Sequence, residues 1–113
     1  MIFDATVIET EPEVRLRVLG EIDLATVMRF RSALGEAFER GSRVVIDLRA
    51  VDFIDSVGVG VLIGAVRRAK RSDIELFIEP SSRVLNVFRQ CDVDSVLPIR
   101  LTVTEAAADG IST

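Results

Sequence analysis

Hydrophobic and polar residues alternate from Glu13 to Val18. Val14, Leu16 and Val18 point one way, and Glu13, Arg15 and Arg17 the other. A period of two marks a half-buried strand, so residues 13–19 are predicted as one. Residues 2–9, rich in β-formers, supply a second strand, with Thr10-Glu11-Pro12 as the turn between them. After Gly20-Glu21-Ile22-Asp23 the period lengthens. Val27, Phe30, Leu34, Ala37 and Phe38 fall on one face of a helix. Asp23 suits its N-cap, with the helix running from Leu24, and Gly41 suits a left-handed stop.

Arg43 to Leu48 (RVVIDL) is apolar with little alternation, as in a central strand covered on both faces. Next come a loop and a helix to about Arg71. Ile74 to Ile78 reads as another strand. Pro80-Ser81-Ser82 opens a helix carrying Val84, Leu85, Val87 and Phe88, with Ser81 or Ser82 as its cap. Val96 to Ile99 is predicted as a last short strand and Thr102 to Ala108 as a weak terminal helix. The order ββαβαβα calls for an α/β fold, a mixed four- to five-stranded sheet with helices packed on it. One domain over residues 1–113 is expected, with its core at about 3–100 and a helix or tail over 101–113.

Residues 52–65, DFIDSVGVGVLIGA, stand apart. A helix opening at Asp55-Ser56 carries glycines at 58, 60 and 64, each weaker than alanine in a helix by about 1 kcal/mol. Gly60 and Gly64, four apart, predict a flat stripe where the helix meets a strand. The helix is apolar on every side from Val57 to Val66. At about 100° per residue, Val59, Leu62, Ile63 and Val66 can face the sheet, which leaves Val57 and Val61 pointing elsewhere. Beside the small Gly58 and Gly60, those two form an apolar patch at the rim, and such a patch usually marks a partner surface. Ser56, taken alone, reads as the helix cap. Asp52 and Asp55 read as turn residues.

Composition removes several chemistries. The chain has no histidine, tyrosine or tryptophan, which excludes a Ser-His-Asp hydrolase and leaves a His/Cys zinc site without ligands. No metal and no cofactor are expected. A net charge of −4 argues against direct nucleic-acid binding; Arg67-Arg68-Ala69-Lys70-Arg71 is a solvated helix end favoured by the dipole. Gly58-x-Gly60 lacks the third glycine of a dinucleotide fingerprint, since Ile63 stands there. Asp47 at a strand end hints at a phospho-accepting receiver, but that fold's acidic pair and late lysine are missing. The lone Cys91 points to a reducing compartment. The start, MIFDATVIETEPE, lacks a signal-peptide pattern, and the longest uncharged apolar run, Val57–Val66, is about half a membrane span. A soluble, cytoplasmic protein without a membrane span is expected.

Gly20-Glu21-Ile22-Asp23, Val45-Ile46-Asp47-Leu48 and Val51-Asp52-Phe53-Ile54-Asp55-Ser56-Val57-Gly58-Val59-Gly60 resemble the STAS domain of bacterial anti-sigma factor antagonists. The similarity continues through Val84-Leu85-Asn86-Val87-Phe88 and spans roughly residues 3–100. It implies a regulator rather than an enzyme. Such proteins bind an anti-sigma factor that is also a serine kinase, which frees a sigma factor. The kinase phosphorylates the serine of the Asp-Ser motif and ends the interaction; a serine phosphatase restores it. The resemblance makes Ser56 the phosphoacceptor and places Asp23, Asp55, Val57, Gly58, Gly60 and Val61 at the partner surface. The same family also contains adaptor subunits, for example of lipid-transport complexes, that are not phosphorylated. An enzyme using Asp23 and Asp55 is the remote third reading. Asp92 stands where the family usually ends its third helix with glycine, and aspartate tolerates that left-handed conformation.

Overall fold

The computed structural model describes residues 2–102. Its elements are β1 (Asp4–Thr10), β2 (Glu13–Ile22), α1 (Val27–Arg40), β3 (Arg43–Ile54), α2 (Ser56–Arg71), β4 (Glu75–Pro80) and α3 (Ser82–Gln90). Four strands form one mixed sheet in the order β1-β2-β3-β4. β1 pairs antiparallel with β2, and β3 runs parallel to both β2 and β4. Two parallel crossovers step the same way along the sheet, and α1 and α2 pack into the same core cluster, as crossovers of one hand require. The terminal helix expected over Thr102–Ala108 lies, from residue 103 onward, outside the described residues.

The alternation in β2 sets which face is covered. Val14, Leu16 and Val18 join Val44, Ile46, Leu48, Leu76 and Ile78 in one buried cluster. The helical stripe Phe30, Leu34, Ala37 and Phe38 packs on it, with Leu62 from α2 and Val84 and Phe88 from α3. Ser81 caps α3, its hydroxyl accepting from Val84 N at 3.1 Å and donating to the Val51 carbonyl at 2.7 Å. Beyond that helix Asp92 has φ +57°, the left-handed conformation expected of it.

Several boundaries differ from the expectations. β3 does not stop at Leu48 but continues to Ile54, because β2 also runs on and pairs Gly20 with Val51 and Ile22 with Ile54. Register shifts flank Gly20, whose φ is +99° and whose position leaves no room for a Cβ against the Ile2 carbonyl. Gly41 is extended rather than left-handed; its use is steric, since a Cβ there would lie 2.7 Å from Val14 Cγ2. The strand expected at Val96–Ile99 reduces to a single bridge between Ile78 and Ile99. Pro98 has no N–H to extend a ladder.

The opposite face of the sheet carries the alternate positions, and beside the buried Val45 and the half-buried Phe77 it holds a cluster of charges. Asp47 and Glu79 are only 3% and 4% exposed. Arg15 reaches both, at 3.1 Å and 2.6 Å. Arg49 binds Asp47 at 2.9 Å, and Arg100 binds Glu79 at 2.8 Å and Glu13 at 3.2 Å. Asp47 thus lies inside β3 rather than at the strand end expected of it, and its carboxylate is consumed in ion pairing.

The three glycines of α2 are not alike. A Cβ on Gly58 would lie 2.7 Å from Ile54 Cγ1 and 2.8 Å from Ile22 Cγ2, whereas one on Gly60 or Gly64 would meet nothing within 4 Å. The stripe expected at 60 and 64 thus faces away from the sheet, and Gly58 makes the close approach. The same substitution should then have opposite signs. Gly58→Ala is expected to destabilise by about 1–3 kcal/mol through overpacking, and Gly60→Ala to stabilise by about 1 kcal/mol through helix propensity. Urea unfolding of both variants checks this; equal effects would refute the distinction.

Candidate functional site

β2 and β3 end side by side, and an aspartate shapes the turn after each of them. Asp55 N donates to the Ile22 carbonyl at 3.1 Å, which draws Asp55 against the segment leading into Asp23. Asp55 is extended, and its Oδ1 accepts from Val57 N and Gly58 N, each at 3.1 Å. It is the N-cap of α2. Ser56 is the first helical residue, exposed, and its hydroxyl has no hydrogen-bond partner among the described residues. The expectation that Ser56 caps the helix is corrected: aspartate caps as well as serine, and it stands one residue earlier.

Asp23 plays a related part before α1. Its Oδ1 accepts from Ala25 N at 3.0 Å and Thr26 N at 3.2 Å, while Asp23 N donates to Thr26 Oγ1 at 3.0 Å. This reciprocal pair has the logic of a capping box. It holds a turn over Leu24–Thr26, so the regular helix starts at Val27 rather than at Leu24. Asp52 is exposed near the end of β3.

Around Ser56 the structure gathers most, but not all, of the residues expected there. Val57 is 43% exposed and Gly60 is open to solvent. Val61 is half-buried against the edge of the core. Gly58 is buried between Ile22 and Ile54, so it offers no docking surface; it lets the helix tip sit close to the sheet. Ile63 and Val66 are only partly buried, and Ala65 and Ala69 take the inward positions with Val59 and Leu62. Sequence reasoning missed Leu24, 77% exposed in the turn before α1, and Met28, 68% exposed in its first turn. Met28 carried a signal, since it falls off the apolar stripe of that helix.

Arg31 and Leu34 of α1 face Val57, Gly60, Val61 and Gly64 of α2 across an open groove. Among the described residues no cluster of histidine, cysteine or carboxylate side chains could hold a metal ion. No helix among them is long and apolar enough to cross a membrane.

A four-stranded mixed sheet with parallel crossovers, and an exposed serine just after the Asp55 cap of the second crossover helix, defines a small α/β domain. Residues 5–106 match the family model of the STAS domain. The anti-sigma-B factor antagonist of Bacillus subtilis (strain 168) is 27% identical over 92 residues, 80% of this chain and 84% of that protein. The anti-sigma-B factor antagonist of Listeria monocytogenes serovar 1/2a is 33% identical over 87 residues, 74% of this chain and 75% of that protein. The crystal structure of an anti-sigma factor antagonist from Mycobacterium paratuberculosis shares the fold, with a TM-score of 0.81 at 22% identity over 96% of this chain and 93% of that one. The chain belongs to the STAS domain family, with the anti-sigma factor antagonists.

Proposed function

We propose that this protein is an anti-sigma factor antagonist switched by phosphorylation of Ser56. In this reading it binds an anti-sigma factor with serine-kinase activity, releases a sigma factor, and loses its partner when Ser56 is modified; a serine phosphatase resets it. It acts as a cytoplasmic regulator and not as an enzyme, with the whole of residues 1–113 as one domain.

One observation carries the reading. The Ser56 hydroxyl is exposed and unpartnered among the described residues, because Asp55 caps α2 in its place. A kinase can therefore take this hydroxyl without unwinding the helix. Asp23, Asp55, Val57, Gly60 and Val61 form the proposed partner surface around it, and Gly58 supports that surface from behind. The other candidate acceptors are less suited. Ser81 spends its hydroxyl on the α3 cap and on Val51, Ser32 lies inside α1 rather than at a helix tip, and Ser82, exposed at the start of α3, is followed by the exposed Arg83 and not by an apolar rim.

Incubation with the cognate kinase and ATP should add one phosphate by intact mass, mapped to Ser56 by peptide sequencing. Stable modification of Ser32, Ser81 or Ser82 instead would refute the assignment. No modification at all would favour an adaptor role.

A further inference from the structure

The groove between α1 and α2 has a volume of about 460 Å³. Its apolar lining includes Leu34, Val57 and Val61 with Gly60 and Gly64, and its charged lining is Arg31, Arg68 and Arg71. Two features need an explanation that the fold does not supply. The first is the bare backbone: side chains at 60 and 64 would meet nothing within 4 Å, so packing demands neither glycine, although glycine weakens a helix relative to alanine. The second is charge. No carboxylate lines the groove, in a chain whose net charge is −4. Arg31 and Arg71 have no ion pair among the described residues, and Arg68 is held 5.1 Å above the Phe38 ring.

Bare helix backbone admits a second helix at short interaxial distance, and apolar residues at i, i+3, i+4 and i+7 of an incoming helix fit such a groove. Uncompensated guanidinium groups select carboxylates, which they bind in a paired, directional way. We propose that the α1–α2 groove seats an amphipathic, carboxylate-bearing helix of the anti-sigma partner, an inference that rests on the function proposed above. The groove is continuous with the face around Ser56, because Val57, Gly60 and Val61 belong to both. A phosphate on Ser56 then lies at the end of a seated acidic helix and repels it. Leu24, exposed in the turn before α1, and Met28, exposed in its first turn, extend the apolar contact beyond the groove.

The test uses the full chain and the purified kinase anti-sigma factor in calorimetric titrations, with melting curves for every variant. The double variant Arg31→Glu/Arg71→Glu is expected to bind about tenfold or more weakly while melting as the wild type does. Arg31→Lys/Arg71→Lys should retain most of the affinity. Gly64→Leu, which fills the groove without touching its charge, should also weaken binding about tenfold. Added salt should weaken the wild-type complex more steeply than the charge-reversed one. If the wild type binds and these variants bind equally well, the groove inference falls while the antagonist reading stands. If the wild type does not bind the kinase at all, both fall. Self-association of the wild type, or its binding to anionic phospholipid vesicles, that the glutamate variant loses without any change in kinase affinity would assign the groove to another occupant and overturn the inference.

Discussion

Phosphorylation of Ser56 is expected to weaken binding to the anti-sigma partner roughly a hundredfold, about 3 kcal/mol. The phosphate adds about −1.5 to −2 charges to a helix end that already holds Asp55, with Asp23 next to it across the Asp55–Ile22 hydrogen bond. The N-terminus of α2 returns only about 0.3–1 kcal/mol of this. In a desolvated contact, unit like charges about 4 Å apart repel by about 4 kcal/mol at intermediate dielectric. Repulsion wins, and no refolding is needed. Variants should rank accordingly. Ser56→Ala should match the wild type in affinity and in stability, because the cap is Asp55 and not Ser56, and it should stay bound in the presence of ATP. Ser56→Asp, with one charge, should bind at an intermediate level. Asp55→Ala, which removes the cap, should lose about 1 kcal/mol of stability. Calorimetric titration of wild type, both Ser56 variants and the phosphorylated protein gives the order directly. A phosphorylated form that binds as tightly as the unmodified one would rule out electrostatic release and leave the adaptor role as the better account.

Arg15→Met is expected to destabilise the fold by about 2–3 kcal/mol. Arg15 bridges two carboxylates that lie on neighbouring strands and are almost wholly buried, Asp47 and Glu79. Breaking a buried ion pair outright costs about 3–5 kcal/mol. The loss here is smaller because Arg49 still holds Asp47 and Arg100 still holds Glu79. The pH dependence separates charge from packing. Burial pushes both carboxyls up. Hydrogen bonds from Arg49 and Arg15 nevertheless hold Asp47 below the ordinary carboxylate range, and bonds from Arg15 and Arg100 do the same for Glu79. A carboxyl with a lowered folded pKa contributes stability at neutral pH and loses it as pH falls through that value. Wild type should therefore keep this contribution until pH reaches the acid side of the ordinary carboxylate range. In Arg15→Met the two carboxyls titrate at higher pH, so the stability gap between the proteins should narrow on acidification. Urea unfolding of both at neutral and acid pH measures the gap. A gap that does not change with pH would mean that Arg15 acts by packing alone.

Local periodicity was enough to read most of the architecture. Val14, Leu16 and Val18 announced β2, and the stripe through Phe30, Leu34 and Phe38 announced α1. Their spacing is dictated by the pleat of a strand and the turn of a helix, so each is written within a few neighbouring residues. The Asp-Ser start of α2 was legible for the same reason, while the left-handed Asp92 was implied by the family resemblance. The exposed tip around Ser56 was legible too, because an all-apolar helix cannot bury every side against one sheet.

Other features depend on residues far apart in the chain, and only the tertiary structure decided them. Arg15 is separated from Asp47 by 32 residues and from Glu79 by 64, and the three meet because β2, β3 and β4 run parallel in that register. The extension of β3 to Ile54 depends on where β2 ends beside it. Asp55 rather than Ser56 became the cap because the bond from Asp55 N to the Ile22 carbonyl fixes where α2 begins. The glycines of α2 divide the same way. Gly58 meets Ile22 and Ile54, while Gly60 and Gly64 meet open space. Sequence determined that this helix is small-residued and apolar; the neighbours brought to it by the crossovers determined which glycine is structural and which two face open space.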